Sequence, residues 1–526
     1  MKQRLLNYLT AIMMMVFLSH THAWAQKKTE TQFQRVSLQK RIAVDQTGSA
    51  FKMVNDIQQW NTKETAIIIC DMWDWHWCEE SKHRVNEMAP YMNEVVNLAR
   101  DKGITIVHAP SDCMDFYKDH PGRKLAMKYK KGKANALVNR ELLPAEKTAT
   151  WPIDQTDGGC DCGTDCKQEY LWQRQHEALE IKDGDAISDS GVEIGNMFFK
   201  KGIKNVILMG VHTNMCVIDR TFGLRNMVRL GMNVVLMRDL TDTMYNPEQW
   251  PQVSHFTGNS LITEYIEKYV SPSIVSTDLT GKKQFRFRED DRKIVAMVMA
   301  ESEYGSERTL PDFAHELLLK KNVHCEFAIG LPEKTGEGRH SIENLQVLQD
   351  ADLAVIYTRR RALPAEQMEM IRSYVAAGKP VLGIRTASHA FDAKGKITAG
   401  ETVLSQWPEF DHEILGGNYT NHHGELKTGT LVTPVPGMQG HPLLKGVDPG
   451  GFISMGSLYL NTPLVSENAQ VILLGAIPDK PVEPVTWVNK TAGGNKVIYT
   501  SLGHPEDWKV KSFMNLMLNS VDFLLE

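Results

Sequence analysis

After its first two dozen residues the sequence has no long apolar run. A helix that spans a bilayer needs about 20 consecutive apolar residues, so no membrane insertion is expected beyond residue 25. There is also no basic block and no heptad repeat, and the net charge is only −5 over 526 residues. Nucleic acid and anionic membrane surfaces are therefore poor partners. No internal repeat is present. Cysteine is sparse, with eight residues, and their spacing matches no standard zinc pattern.

What is present begins with Lys2 and Arg4, an apolar stretch from Leu5 to about Leu18, and Ala23-Trp24-Ala25 before Gln26. This is the pattern of a secretory signal peptide cut after Ala25, with the mature chain periplasmic or secreted. The roughly 500 remaining residues exceed what one hydrophobic core supports, and two domains are expected. In an exported chain cysteines invite disulfides. Cys160, Cys162 and Cys166 crowd one polar loop, DGGCDCGTDC, where disulfides, a metal or free thiols are all open readings; no fourth ligand is evident beside them.

From Thr65 onward, short β-branched runs (TAIIIC, ITIVHAP, NVILMG, NVVLMRD) alternate with amphipathic helical stretches, one of them from about Ala89 to Lys102 and closed by Gly103. This is the rhythm of a mostly parallel sheet with helices on both faces. Between about Val270 and Arg292 the pattern lapses into a Pro-, Ser- and charge-rich linker, after which KIVAMVMA, DLAVIYT and KPVLGIR open a second α/β series. The expected division is a signal at 1–25, a first domain at 45–285 and a second at 290–526.

In open parallel sheets, reactive groups collect at the carboxyl ends of strands. Asp71 ends AIIIC, Lys182 follows ALEI, and Cys216 lies in GVHTNMCVIDRTFGL after NVILMG. A Cys at a helix start faces backbone N–H groups that favour thiolate. A lone Cys is ordinarily a packed thiol; the constellation distinguishes this one.

With Gly210-Val211-His212-Thr213-Asn214-Met215-Cys216-Val217, these residues resemble the isochorismatase-like, or nicotinamidase-like, cysteine hydrolases over roughly residues 45 to 285. The resemblance implies a Rossmann-type fold and a Cys216/Asp71/Lys182 set, with Asp71 as base, Lys182 holding it, and the thiolate attacking an amide carbonyl. It implies an oxyanion hole from the backbone N–H groups of His212 and Cys216, with a cis Val211–His212 peptide.

The segment after Asp71 carries three indoles. Trp73, Trp75, His76 and Trp77, with His108, are candidates for a substrate-pocket wall, and core packing is the alternative. Asp74-x-His76 has the spacing of the family's metal element, with His83 and His108 as further candidate ligands, but it lies nearer the base than the family pattern puts it. No cofactor is required for the Cys set, and a metal lacks a full ligand set. The departure turns the expected substrate away from nicotinamide, and an exported enzyme away from isochorismate.

The second half carries GIRTASHAF, GGNY with His422 and His423, and YTSLGHPEDW. These resemble the trehalose-utilisation (ThuA-like) branch of the class I glutamine amidotransferase-like fold, a flavodoxin-like architecture. His504 and Glu506 keep the spelling of a Cys-His-Glu triad, but Arg385 stands at the nucleophile elbow, which excludes the covalent glutaminase route. His389, His422, His441, His504 and Glu506 remain as a pocket rim for a carbohydrate ligand or a metal, against the alternative of a support domain. The expected function is hydrolysis of a C–N bond in a small molecule by the first domain. Its rival is carbohydrate processing or binding by the second. A homo-oligomer is left open.

Overall fold

Thr65–Cys70, the strand β3, is buried at every position. An unbroken apolar run of this kind belongs in the middle of a parallel sheet covered on both faces. Its alternate side chains serve two cores: Ile68 and Cys70 pack on one face, Ile67 and Ile69 on the other. In this computed structural model the described residues are 33–526 except 46, 47, 49, 164, 165, 332–336 and 425. The predicted signal at 1–25 lies outside them. Two units are resolved, one taking 33–41 with 56–290, the other the described residues of 42–55 and 291–526; residues 42–43 and 51–55, although grouped with the second unit, are the ends of two strands of the first unit's sheet. No helix among the described residues is long and apolar enough to cross a membrane.

The first unit is built on an eight-stranded sheet. Its strands are β1 (Phe33–Ala43), β2 (Phe51–Asn61), β3, β4 (Thr105–Ala109), β5 (Ala186–Ile187), β6 (Asn205–Val211), β7 (Asn233–Asp242) and β8 (Ser273–Ile274), in the order β2-β1-β8-β7-β6-β3-β4-β5. From β8 to β5 all ladders are parallel, and β1 joins β8 antiparallel. β8 thus lies inside the stretch expected as linker.

Helix α1 runs Glu79–Asp101, starting ten residues before its expected start near Ala89. Its first turns hid from a hydrophobic periodicity because their inward face carries Ser81 and Arg84 as well as Val85 and Met88. Helices α2 (Gly191–Lys201), α3 (Leu224–Arg229) and α4 (His255–Tyr269) complete the framework used below.

One glycine sets the geometry at the sheet's carboxyl edge. Gly210 has φ +112°, and a Cβ there would stand 2.1 Å from the Cys70 carbonyl oxygen. Only glycine lets β6 pass that close to β3 immediately before Asp71.

The second unit has a ten-stranded sheet. Strands β9 (Ile294–Ala300), β10 (His324–Gly330), β11 (Ile342–Glu343), β12 (Leu353–Thr358), β13 (Val381–Ile384), β14 (Thr430–Pro434), β15 (Phe452–Ser454), β16 (Gln470–Ala476), β17 (Glu483–Lys490) and β18 (Lys496–Thr500) order as β11-β10-β9-β12-β13-β18-β17-β16-β14-β15. The ladders β10-β9-β12-β13-β18 are parallel, and those from β18 to β15 are antiparallel. The sheet is mixed because short turns, not crossover helices, connect β16 to β17 and β17 to β18. Helices flank both sheets on both faces, so each unit is α/β.

Candidate functional site

Asp71 leaves β3 with φ +46°, fully buried. Its Oδ1 accepts the Ser111 amide N–H at 2.7 Å, and its Oδ2 accepts Arg220 Nε–H at 3.0 Å. The Cys216 thiol lies near enough to this carboxylate for each to influence the other's proton affinity. Burial raises the Asp71 pKa; the Arg220 charge and the bonds from Cys216 and Ser111 oppose it without cancelling it. Burial also pushes the Cys216 thiol well above its ordinary value, Asp71 adds to this, and the His212 backbone N–H works the other way. Alone, this sulfur would remain a thiol.

Cys216 sits in a wide helical turn, Thr213–Val217, that follows β6. Two buried side chains pin the turn. Thr213 Oγ1–H reaches the Asp242 carbonyl at 2.9 Å, and Asn214 donates to the Met244 carbonyl at 2.9 Å while accepting its amide at 3.0 Å. The Val211–His212 peptide is cis. The His212 ring is buried and pairs through Nε2 with Ser81 Oγ at 2.6 Å; burial holds its pKa well below the ordinary value, so it is neutral.

Lys182 is not brought to Asp71. Its ammonium bonds Asn97 at 2.8 Å and Glu180 at 3.0 Å, half-exposed. The reason is its place in the chain: it precedes β5, at the amino edge of the sheet, whereas Asp71 and Cys216 follow β3 and β6 at the carboxyl edge. Crossing β5 the chain delivers Asp189 instead, which accepts the Asp112 amide at 3.3 Å. The cation on Asp71 is Arg220, which also reaches Asp112 at 3.3 Å. Arg220 was missed in the sequence, although it lies four residues after Cys216, the spacing at which helical side chains share a face.

The indole segment forms an aromatic cluster. Trp73 stacks on Trp172 with centroids 4.2 Å apart and donates its indole N–H to the Ser111 carbonyl at 2.9 Å. His76 lies between Trp77 and His212, at 5.3 and 4.9 Å. Trp75, Trp77 and Cys216 pack against this cluster from its edge. The cavity at Cys216 has a volume of about 650 Å³ and is lined instead by Trp151, Gln155, Asn214, Met215 and Arg220, among others. Sequence reading thus placed the aromatic wall one side of the thiol and missed Trp151 and Gln155 on the other.

His108 is fully buried between Gln175 Oε1 at 2.8 Å and Asp185 Oδ2 at 3.2 Å. Asp74 accepts the Gln173 and Arg174 amides, and His76 Nδ1 accepts the Cys78 amide at 3.2 Å. Among the described residues, no group of three metal-binding side chains includes Asp74, His76 or His108, and His83 groups only with Glu80 and Glu289 near the surface.

Behind the Cys216 turn runs a buried ionic chain. Arg84 pairs with Asp161 at 2.8 Å and with Asp242 at 2.8 Å, and His255 pairs with the same two carboxylates at 3.0 and 2.9 Å. Arg84 comes from α1 and His255 opens α4, so the network ties both helices to the end of β7.

In the second unit, Arg385 stands at the elbow after β13 with φ +45° and is buried. Its guanidinium donates to the Ser501 carbonyl at 2.8 Å and Ser457 Oγ at 3.0 Å, and lies 4.1 and 4.9 Å from the Tyr304 and Tyr459 rings. His389 stacks on Tyr419 at 4.8 Å, and Tyr419 donates or accepts with His422 Nδ1 at 2.9 Å. Burial drives the His389 pKa down to about 2. His504 borders Tyr304 at 6.2 Å. Two members of the predicted rim stand apart. Glu506 is exposed and bonds Lys509 at 2.7 Å, and His441 caps a short turn by accepting the Leu443 amide at 3.2 Å.

Cys216 and the buried Asp71 thus share the carboxyl edge of a parallel sheet, and Cys216 lines a cavity. Residues 65–253 match the model of the isochorismatase domain, and residues 332–524 match that of the trehalose-utilisation (ThuA) family. The chain carries an isochorismatase-family domain followed by a ThuA-family domain. Among solved structures, a cysteine hydrolase from Pseudomonas syringae pv. phaseolicola 1448A is 14% identical, with 42% of this chain and 95% of that chain covered and a TM-score of 0.26. An isochorismatase family protein from Burkholderia thailandensis is 13% identical, covering 41% and 96%, with a TM-score of 0.24. A ThuA-like protein from Bacteroides uniformis ATCC 8492 is 15% identical, covering 46% and 95%, with a TM-score of 0.33. No curated protein matched the sequence.

Proposed function

We propose that the first domain is a cysteine hydrolase that cleaves a C–N bond of amide type in a small molecule. The observation that carries this reading is that Cys216 and Arg220 line one cavity of about 650 Å³ while Arg220 holds the buried Asp71 carboxylate at 3.0 Å. As sulfur attacks the carbonyl carbon, its proton passes to Asp71 and an S–C bond forms. Backbone N–H groups of His212 and Cys216 serve the developing oxyanion. Collapse breaks the C–N bond, Asp71 returns the proton to the departing amine, and water then hydrolyses the thioester. Arg220 acts through Asp71 as a positioning residue. It takes the place expected of Lys182, and its side chain also lines the cavity.

The test is labelling followed by turnover. Iodoacetamide is expected to modify Cys216 ahead of the other cysteines, read by peptide mass after brief exposure. Cys216→Ala is expected to abolish hydrolysis of any amide found by screening; full activity in that variant overturns the reading.

A second reading rests on the aromatic shelf of the ThuA-family domain, where His389, Tyr419 and Tyr459 rings meet at 4.8 and 4.5 Å beside Arg385. Flat rings with a buried cation suit a polyol or sugar ligand. Thermal-shift screening against sugars tests it, since a ligand bound only by the folded state raises the melting temperature.

A further inference from the structure

The loop DGGCDCGTDC shows three cysteines in sequence and no fourth, but the fold supplies one. Cys78 closes the indole segment directly before α1, and its Sγ lies 3.5 Å from Cys162 Sγ. The sulfurs of Cys78, Cys160 and Cys162 all lie within 4.8 Å of one another; Cys166 follows four residues after Cys162 in the same loop and lies outside that group of three. We propose that Cys78, Cys160 and Cys162 hold a soft divalent cation, zinc being the fitting ion, and that Cys166 of the same loop joins them as the fourth thiolate when the cation binds.

Size is the first argument. A tetrahedral centre with bonds of about 2.3 Å puts its sulfurs about 3.8 Å apart, which fits the 3.5 Å between Cys78 and Cys162 and the 4.8 Å within which Cys160 joins them. Iron–sulfur clusters interpose sulfide and several irons between the thiolates and hold them wider apart. Connectivity is the second argument. Disulfides join sulfurs in pairs, whereas here Cys162 has both Cys78 and Cys160 close by.

The surroundings are also built for it. Between two of the ligands, Asp161 is held by Arg84 at 2.8 and 3.0 Å and by His255 at 3.0 Å, so the loop between Cys160 and Cys162 is fixed. A Cβ on Gly159 would stand 2.4 Å from the Met244 carbonyl oxygen, so the entry to the loop is close-packed as well. The Glu80 amide N–H points at Cys162 Sγ at 3.5 Å, a donor to a thiolate of the kind that supports metal-bound sulfur. On binding, the cation displaces the thiol protons to solvent. The site fastens this loop to the first turn of α1, where Ser81 holds His212. It is structural, and it stands whether or not Cys216 is a nucleophile.

The full chain, produced with zinc in the medium and purified without chelator, is tested by elemental analysis and by intact mass under native and denaturing conditions. About one zinc per chain is expected in the wild type and in Cys216→Ala, and close to none in Cys78→Ser or Cys162→Ser. Cobalt exchanged into the wild type should give intense thiolate charge-transfer bands and tetrahedral d–d bands. If the serine variants do not fold, the wild-type zinc content and cobalt spectrum decide alone. The proposal is overturned by a metal-free wild type, whether its thiols are free or its denatured mass is about four units low from two disulfides. Iron with acid-labile sulfide, or zinc retained by both serine variants, overturns it equally.

Discussion

Arg220 Nε stands 3.0 Å from Oδ2 of the fully buried Asp71, so this carboxylate is held by a guanidinium that follows Cys216 by four residues and lines the same cavity. The proposed base and nucleophile are therefore coupled through one short stretch of chain. Removing the cation leaves burial as the dominant influence on Asp71, and its pKa, already raised, rises further. Because Asp71 must be ionised to take the thiol proton, Arg220→Ala is expected to move the acidic limb of Cys216 alkylation to higher pH. At neutral pH the rate should fall about tenfold or more, with Arg220→Lys recovering part of it. An unchanged pH profile in Arg220→Ala would sever the proposed link.

Lys182→Ala should be nearly silent. The side chain is half-exposed and its partners are Asn97 and Glu180, so stability should change by no more than about 0.5 kcal/mol and the alkylation rate not at all. A strong loss of reactivity in this variant would mean that Lys182 reaches Asp71 in solution.

The ionic chain behind the site predicts a pH window for stability. Burial alone would lower the His255 pKa, but Asp242 and Asp161 outweigh it and raise it from 6.5 to about 9. The stabilisation this gives is complete below pH 6.5, declines as pH rises, and is gone above about pH 9. Asp242 and Asp161 are held below the usual carboxylate range against their own burial, chiefly by Arg84 and His255, so their share is lost only in acid. His255→Gln should therefore destabilise the first domain by a few kcal/mol near pH 6, and the gap from wild type should close towards pH 9. Urea unfolding at several pH values checks it; a gap that does not depend on pH contradicts the assignment.

The parallel strands were legible because buried runs such as TAIIIC and NVILMG declare themselves without help from the rest of the chain. Asp71 and Cys216 were legible for a related reason: both follow such strands directly, at the sheet edge where chemistry collects. Lys182 was misleading because β5 has only two residues, too short to reveal which edge of the sheet a nearby residue occupies. Helix α1 lost its first ten residues to the same blindness, since Arg84 points inward to serve Asp161 and Asp242 rather than an apolar core. Cys78 is 82 residues from Cys160, and only the packed fold shows that they meet. The antiparallel half of the second sheet was not read either, because its strands carry Pro484 and a register shift near Leu473 that break a simple pattern.

Arg385 gives the sharpest test of the second domain. It keeps the positive φ of an elbow residue, yet its side chain is spent on Ser501, Ser457 and two tyrosine rings. Arg385→Cys would restore a thiol to the elbow, but the rest of a relay is missing. Glu506 is turned to Lys509, and His504 Nδ1 accepts the Glu506 amide at 3.2 Å rather than facing a carboxylate. No glutaminase activity is expected from this variant. Loss of the buried cation from between Tyr304 and Tyr459 should instead destabilise the domain by about 2 kcal/mol, a fall of about 4–8 °C in its melting transition. Calorimetry and ammonia release from glutamine read the two outcomes separately. Measurable turnover by Arg385→Cys would show that the histidine and glutamate still work together, and would return this domain to the enzymes.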